Sequence, residues 1–134
     1  MTKEEKIQYW INISDYDMET ADAMLQTKRY LYVGFMCHQV VEKIFKACFA
    51  KLKDDVPPFT HDLEYIAIKS GFYEKLSEKQ QDFILELNPL NIEARYSEYK
   101  DAISKRLTTT KCLKLIEQTK NLQQWTKETI LLIK

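Results

Sequence analysis

The sequence predicts an all-α fold, an antiparallel up-and-down bundle of four main helices plus a short additional helix. Three observations carry that reading. Apolar residues recur at steps of three and four along most of the chain, the period at which side chains share one face of a helix. Thr2-Lys3-Glu4-Glu5 and Ser77-Glu78-Lys79-Gln80 both have the form of a reciprocal cap at a helix start. With only 2 glycines and 3 prolines in 134 residues, the chain lacks the turn formers of an all-β fold.

The first helix is expected over residues 3 to 27, behind the Thr2/Glu5 cap. Ile7, Ile11, Ser14, Met18, Ala21 and Leu25 form its inward stripe, widened by Trp10 and Ile13. Asp15, Asp17, Glu19 and Asp22 read as its solvated face. Lys28 to Tyr32 is a connection short enough to make the next helix antiparallel. That second helix, from about Tyr32 to Lys53, organises the chain. Its apolar positions (Val33, Met36, Cys37, Val40, Val41, Ile44, Phe45, Cys48) cover a face wide enough to be packed from more than one side. The remaining positions hold a polar seam of His38, Gln39, Glu42, Lys43 and Lys46. Pro57 and Pro58 end it.

Thr60 is the expected cap of a short helix over 61 to 70, with Gly71 as its stop. Ser77 opens the next helix, with Phe83, Ile84 and Leu87 inward and an interruption at Asn88-Pro89. Leu90 to Tyr99 is read as a loop or broken helix bearing Arg95 and Tyr96. Thr108-Thr109-Thr110 caps a last helix to about residue 132, with Cys112, Leu115, Ile116, Leu122, Trp125 and Ile130 inward.

Length bounds the chain to one domain spanning 1–134, large enough for its own core. Twenty basic residues balance 20 acidic ones, so no global field draws in nucleic acid or an anionic membrane. Cys37, Cys48 and Cys112 lack zinc-ligand spacing and read as buried free thiols of a reducing compartment. No N-terminal run resembles a signal peptide, and no apolar stretch approaches the roughly 20 residues of a membrane span. A cytoplasmic protein with no membrane association is the expectation.

Several chemistries are disfavoured by spacing. Cys37 and His38 are adjacent, so on a helix they point about 100° apart rather than at each other. His38 and Glu42 share a face at i,i+4, but His61 is the only other histidine, so a satisfied polar pair is expected and no metal. Neither a glycine-rich phosphate loop nor the paired acidic motif of a nucleotidyltransferase occurs, and no cofactor is expected. Phosphate recognition is better supported. Gln39, Lys43 and Lys46 line one strip, Arg95 has the planar fork that grips phosphate, and Tyr96 and Tyr99 have rings that stack on a base. The competing reading is an ion pair from Arg95 to Glu42 or Glu64 that fastens the loop to the bundle. Spacing leaves both open.

A longer pattern runs through these pieces. Tyr9-Trp10 and Ala21-Asp22-Ala23-Met24-Leu25 are followed by Tyr30 and Val33-Gly34-Phe35, then His38-Gln39-Val40-Val41-Glu42-Lys43 through Lys46-Ala47. His61-Asp62-Leu63 and Ala94-Arg95-Tyr96 complete it. In this order they resemble the HEPN (higher eukaryotes and prokaryotes nucleotide-binding) domain, and most of all the small prokaryotic members encoded beside minimal nucleotidyltransferases. The resemblance implies a helical bundle that forms a homodimer and binds nucleotide or RNA. It also implies a nucleotidyltransferase partner in a toxin–antitoxin-like pair.

Nuclease members cleave RNA without metal and carry an arginine followed four to six positions later by a histidine. Arg95 matches that arginine, but Lys100, Asp101 and Ala102 stand where the histidine belongs. Arginine stabilises phosphate charge but is a poor acid or base near neutral pH, where histidine serves. His38 would have to reach Arg95 to replace it. The resemblance therefore favours a non-catalytic nucleotide-binding or partner-binding module. Arg95, Tyr96, Lys43, Lys46 and Gln39 would bind the ligand, and Glu42, His61 and Asp62 would form a structural seam. A ribonuclease using Arg95 and His38, and a purely structural dimerisation domain, are the alternatives.

Overall fold

The computed structural model describes residues 1–93 and 105–133. Among them are the α-helices α1 (Lys3–Gln26), α2 (Tyr30–Lys53), α3 (Leu63–Ser70), α4 (Glu78–Glu93) and α5 (Thr109–Leu132), with one 3₁₀ turn at Tyr73–Lys75. The all-α bundle expected from periodicity is present.

The capping chemistry works where the sequence placed it. Thr2 Oγ1 accepts from Glu5 N and Glu5 Oε1 accepts from Thr2 N, each at 3.1 Å. Ser77 and Gln80 repeat the exchange at the start of α4, at 2.8 and 3.1 Å. Thr108 Oγ1 accepts from Lys111 N at the start of α5. The cap of α3 is Asp62, whose carboxylate accepts from Tyr65 N, rather than Thr60. Thr60 instead accepts from Asp62 N and holds the capping residue itself. Gly71 ends α3 in the left-handed region, φ 85°, which an L side chain adopts only with strain.

Helix α2 begins two residues earlier than expected. Lys28 turns the chain at φ 61°, Arg29 N donates back to Met24 O, and the Arg29 carbonyl accepts from Tyr32 N and Val33 N. The connection is thus Thr27 to Arg29, and Tyr30 is already helical. A larger correction concerns Pro89. Helix α4 runs through it to Glu93, so Asn88-Pro89 does not interrupt the helix. Proline removes one N–H and crowds the preceding turn, but contacts on both sides outweigh that cost. Leu87 and Leu90 are buried, Asn88 bonds to Asp62 and Leu63, Asn91 bonds to Gln39, and the proline ring sits on the exposed side. Leu90 to Glu93 are therefore helical, and the rest of the expected broken segment lies outside the described residues.

Helix α2 occupies the middle, with α1, α3, α4 and α5 packed around it. Its two-sided apolar face explains why. Val33, Cys37, Val40, Val41, Ile44, Phe45 and Ala47 are all fully buried, and burying each larger side chain contributes about 2 kcal/mol relative to exposing it. Phe45 meets Phe72 edge to face, centroids 4.9 Å apart. All three cysteines are free and buried, and desolvation pushes the Cys37 and Cys48 thiols up to about 12, which leaves them unreactive. Gly34 faces Leu90 and Leu107, where a Cβ would lie 3.2 Å from a methyl of each.

The acidic face of α1 is only partly solvated. Asp15 pairs with Lys127 and accepts from Gln123, and Asp22 pairs with Lys120, so two of its carboxylates fasten α5. Deeper in, Ser14 Oγ donates to the Val40 carbonyl at 2.8 Å and accepts from Gln123 Nε2 at 2.9 Å. One hydroxyl thereby joins α1, α2 and α5. No helix among the described residues is long and apolar enough to cross a membrane.

Candidate functional site

The polar seam of α2 converges on one carboxylate. Glu42 is fully buried, and each of its oxygens is occupied. Oε2 accepts from Lys43 Nζ at 2.8 Å and from Lys46 Nζ at 3.2 Å. Oε1 accepts from His61 Nδ1 at 2.7 Å, from the loop that enters α3. Helix geometry puts Lys46 one turn above Glu42, and the capping of α3 by Asp62 brings His61 to the same place. Burial alone would push the Glu42 carboxyl up. Hydrogen bonds from Lys43 and His61, with the charges of both lysines, outweigh it and hold the group at about 2. Glu42 is a carboxylate under all ordinary conditions.

The lysines are not a free strip. Lys46 is buried and Lys43 is half-buried; their ammonium groups stand 5.4 and 5.9 Å from the ring centroid of Trp10, so an aromatic face and a carboxylate share them. The carboxyl group of Asp17 also feels the charges of Lys43 and Glu42, so the two cations stand against two acidic groups. Gln39, the third member of the expected strip, turns away to α4 and donates to Asn91 Oδ1 at 3.0 Å.

His38 is wholly buried. Its Nε2 lies 2.8 Å from the His61 carbonyl, which can only accept, so Nε2 carries the proton. That leaves Nδ1 as a bare acceptor 4.0 Å from Glu42 Oε1, with no hydrogen-bond partner among the described residues. Burial pushes the His38 pKa down to about 4, against the pull of Glu42. His38 and Glu42 therefore share a face, as their spacing predicts, without a direct hydrogen bond. Among the described residues no group of three or more His, Cys, Asp or Glu side chains is placed to hold a metal ion.

His61 is the reverse case. Its ring is about half exposed, its Nδ1–H is committed to Glu42, and Nε2 is left as an acceptor towards solvent. It stands in a recess of about 520 Å³ between the loop before α3 and the C-terminal part of α4. Phe59 and Asp62 flank it on the loop side, Pro89 and Asn91 on the α4 side. Phe59 is 98% exposed, an unusual position for a large apolar ring. Asn91 is 1% exposed, and its Nδ2 has no partner among the described residues, because Oδ1 alone is taken by Gln39. Asp62 is occupied by its cap and by Asn88 Nδ2 at 3.1 Å.

Arg95 and Tyr96, the remaining expected ligand-binding residues, lie outside the described residues. So does the expected alternative, an ion pair from Arg95 to Glu42 or Glu64. Sequence reasoning placed His61 in a structural seam and passed over Phe59 and Asn91. Phe59 follows two prolines in a loop with no periodicity to show its direction. Asn91 lay in a segment expected to be broken. The signal for His61 was its place next to a helix cap, which fixes it against a neighbouring element.

A family model described as HEPN domain matches residues 7–129 of the chain. No curated protein and no solved structure matches it significantly.

Proposed function

The chain belongs to the HEPN domain family, and on that premise we propose that it is a non-catalytic accessory module that binds a nucleotide and pairs with a nucleotidyltransferase. The observation that carries the proposal is the recess around His61. A fully exposed aromatic ring, Phe59, stands beside an imidazole held in one tautomer by a buried carboxylate. Exposed rings of this kind stack on bases, and half-exposed polar groups beside them orient the ligand. The partly exposed Lys43, on the far oxygen of Glu42, supplies positive charge on that side of the carboxylate. Arg95 and Tyr96 join the reading on sequence alone, as do the homodimer and the toxin–antitoxin-like pairing.

The test is the melting temperature of the purified protein against nucleoside monophosphates, diphosphates and triphosphates, with Phe59→Ala and Arg95→Ala alongside. A ligand that binds the native state alone raises apparent stability. An upward shift that is lost in Phe59→Ala supports the reading, and no shift with any nucleotide overturns it. Co-purification with a nucleotidyltransferase expressed from an adjacent reading frame tests the partner.

One observation favours a second reading, a metal-independent ribonuclease. The Glu42–His61 pair is an oriented imidazole, the proton-transfer group that the arginine-to-histidine spacing fails to supply. In that reading His61 takes the role the sequence suggested for His38, which is buried with Nε2 committed. Cleavage of cellular RNA by the wild type and not by His61→Ala would select it.

A further inference from the structure

We infer that His61 is a modification site: its Nε2 accepts a phosphoryl group from a small phosphoryl donor, with Glu42 as the positioning residue that balances the charge the ring gains. The inference is independent of nucleotide binding and of proton transfer to RNA, since it asks only that Nε2 form a bond.

Three features of the ring point to it. Its Nδ1–H is committed to Glu42 Oε1 at 2.7 Å, so the reactive lone pair is on Nε2. Nε2 has no hydrogen-bond partner among the described residues, and the side chain is about half exposed in an open recess, so a donor reaches it without displacing protein. Glu42 lies fully buried and ionised behind the ring. A carboxylate there leaves the proton on Nδ1 and faces the positive charge that spreads over the imidazole as Nε2 bonds to phosphorus.

His38 is the internal contrast. It carries the same ring beside the same carboxylate, but it is wholly buried and its Nε2–H donates to the His61 carbonyl. A phosphoryl donor has no way in.

The step is an exchange of one bond for another. The Nε2 lone pair attacks phosphorus, and the bond from phosphorus to its leaving group breaks with the electrons going to that group. Phosphoramidate carries a protonated nitrogen near neutral pH, so ammonia leaves with the bonding pair and no further proton is needed. The Nδ1 proton stays on the ring, bonded to Glu42. An acyl group would attach by the same route, but acyl imidazoles are quickly lost to water and this recess is open, whereas the N–P bond persists at neutral and alkaline pH. Asp62 stands on the same wall, its carboxylate bonded to Tyr65 N and Asn88 Nδ2. Its charge disfavours a polyanionic donor and favours a small one of low charge.

The test treats the full untagged chain with potassium phosphoramidate at neutral pH. Intact mass follows the adduct, and proton–nitrogen NMR identifies the ring and the atom. His61→Ala, His38→Gln and Glu42→Gln run beside the wild type, and the wild type in urea presents both histidines free of the fold. The expected result is one phosphoryl group on His61 Nε2, added at least about tenfold faster than in urea. It should be absent from His61→Ala, unchanged in His38→Gln and slowed towards the urea rate in Glu42→Gln, where glutamine keeps an oxygen for Nδ1–H and removes the charge. Circular dichroism melts check that the variants fold; if Glu42→Gln does not, the native and urea rates of the wild type decide. A native rate no faster than that in urea, an adduct on His38, or addition at Nδ1 overturns the inference. An undiminished rate in folded Glu42→Gln overturns it as well.

Discussion

His61 donates from Nδ1 to Glu42 Oε1 at 2.7 Å while its own backbone carbonyl accepts from His38 Nε2 at 2.8 Å, so one loop residue is fastened to α2 at two points. Ring and backbone are fixed together, and the exposed Nε2 is aimed by interactions buried beneath it. The charge on Glu42 is what makes the arrangement hold.

Replacing Glu42 with glutamine keeps its shape and removes that charge. Lys46, buried, would then lose its carboxylate partner, and Lys43, half-buried, would keep only the charge of Asp17. Stability is expected to fall by about 3 kcal/mol, read as a lower urea midpoint with an unchanged slope. Adding Lys46→Met should recover part of the loss, because the two groups are coupled. A Glu42→Gln midpoint equal to wild type would mean that the lysines find full solvation elsewhere.

Acid should weaken the fold in two steps. His38 titrates near 4 in the folded chain against 6.5 ordinarily, so the unfolded chain takes up its proton first. Its contribution is complete above pH 6.5 and is lost as pH falls through 4. Glu42 titrates near 2 against 4.5, so its contribution is complete above pH 4.5 and is lost as pH falls through 2. Each is worth roughly 3 kcal/mol at full extent. Urea midpoints measured from pH 7 to pH 4 should decline in the wild type and decline less in His38→Gln, which retains an N–H for the His61 carbonyl. Parallel curves for the two proteins would count against this account.

Asn88→Ala should cost about 1 to 2 kcal/mol in thermal or urea melts. Its Oδ1 accepts from Leu63 N at 2.9 Å, and its Nδ2 donates to Asp62, so it secures the first turn of α3 to α4. A change below a few tenths of a kcal/mol would show that water replaces both bonds.

At Gly34 the expected cost depends on size. Alanine gains helix propensity of about 1 kcal/mol against two tight methyl contacts, so the net change should stay within about 1 kcal/mol of zero. Leucine cannot be accommodated between Leu90 and Leu107 without moving them and should destabilise by about 2 kcal/mol. A Gly34→Leu protein as stable as wild type would show that these leucines shift freely.

Much of the fold was legible because it rests on local signals. Periodicity marked the stripe of α1 and the two-sided face of α2, and the Thr2/Glu5 and Ser77/Gln80 pairs announced their caps by spacing. Pro89 was misread because a local rule met tertiary contacts: Asn88 and Asn91 are held by Asp62, Leu63 and Gln39, all far away in sequence. The site was legible as an inventory more than as an arrangement. Glu42 and Lys46 advertise an i,i+4 pair, but nothing local says that His61 takes the other oxygen. Nor does any pattern reveal that Phe59 faces solvent or that one Asn91 donor is left over.

The hydroxyl shared by Val40 and Gln123 also has a bearing on how this chain can change over time. Ser14 and Val40 are 26 positions apart, with the Thr27–Arg29 turn between them. Inserting or deleting one residue inside α1 after Ser14, or inside α2 before Val40, would rotate the following part of the helix by roughly 100°. Val40 would lose its mark on Ser14, and His38, Glu42 and Lys46 would swing with it to another face. The helical stretches between Ser14 and Val40 can therefore drift in identity while their lengths stay fixed, and homologous chains should vary in length in the Thr27–Arg29 turn far more readily than within α1 or α2.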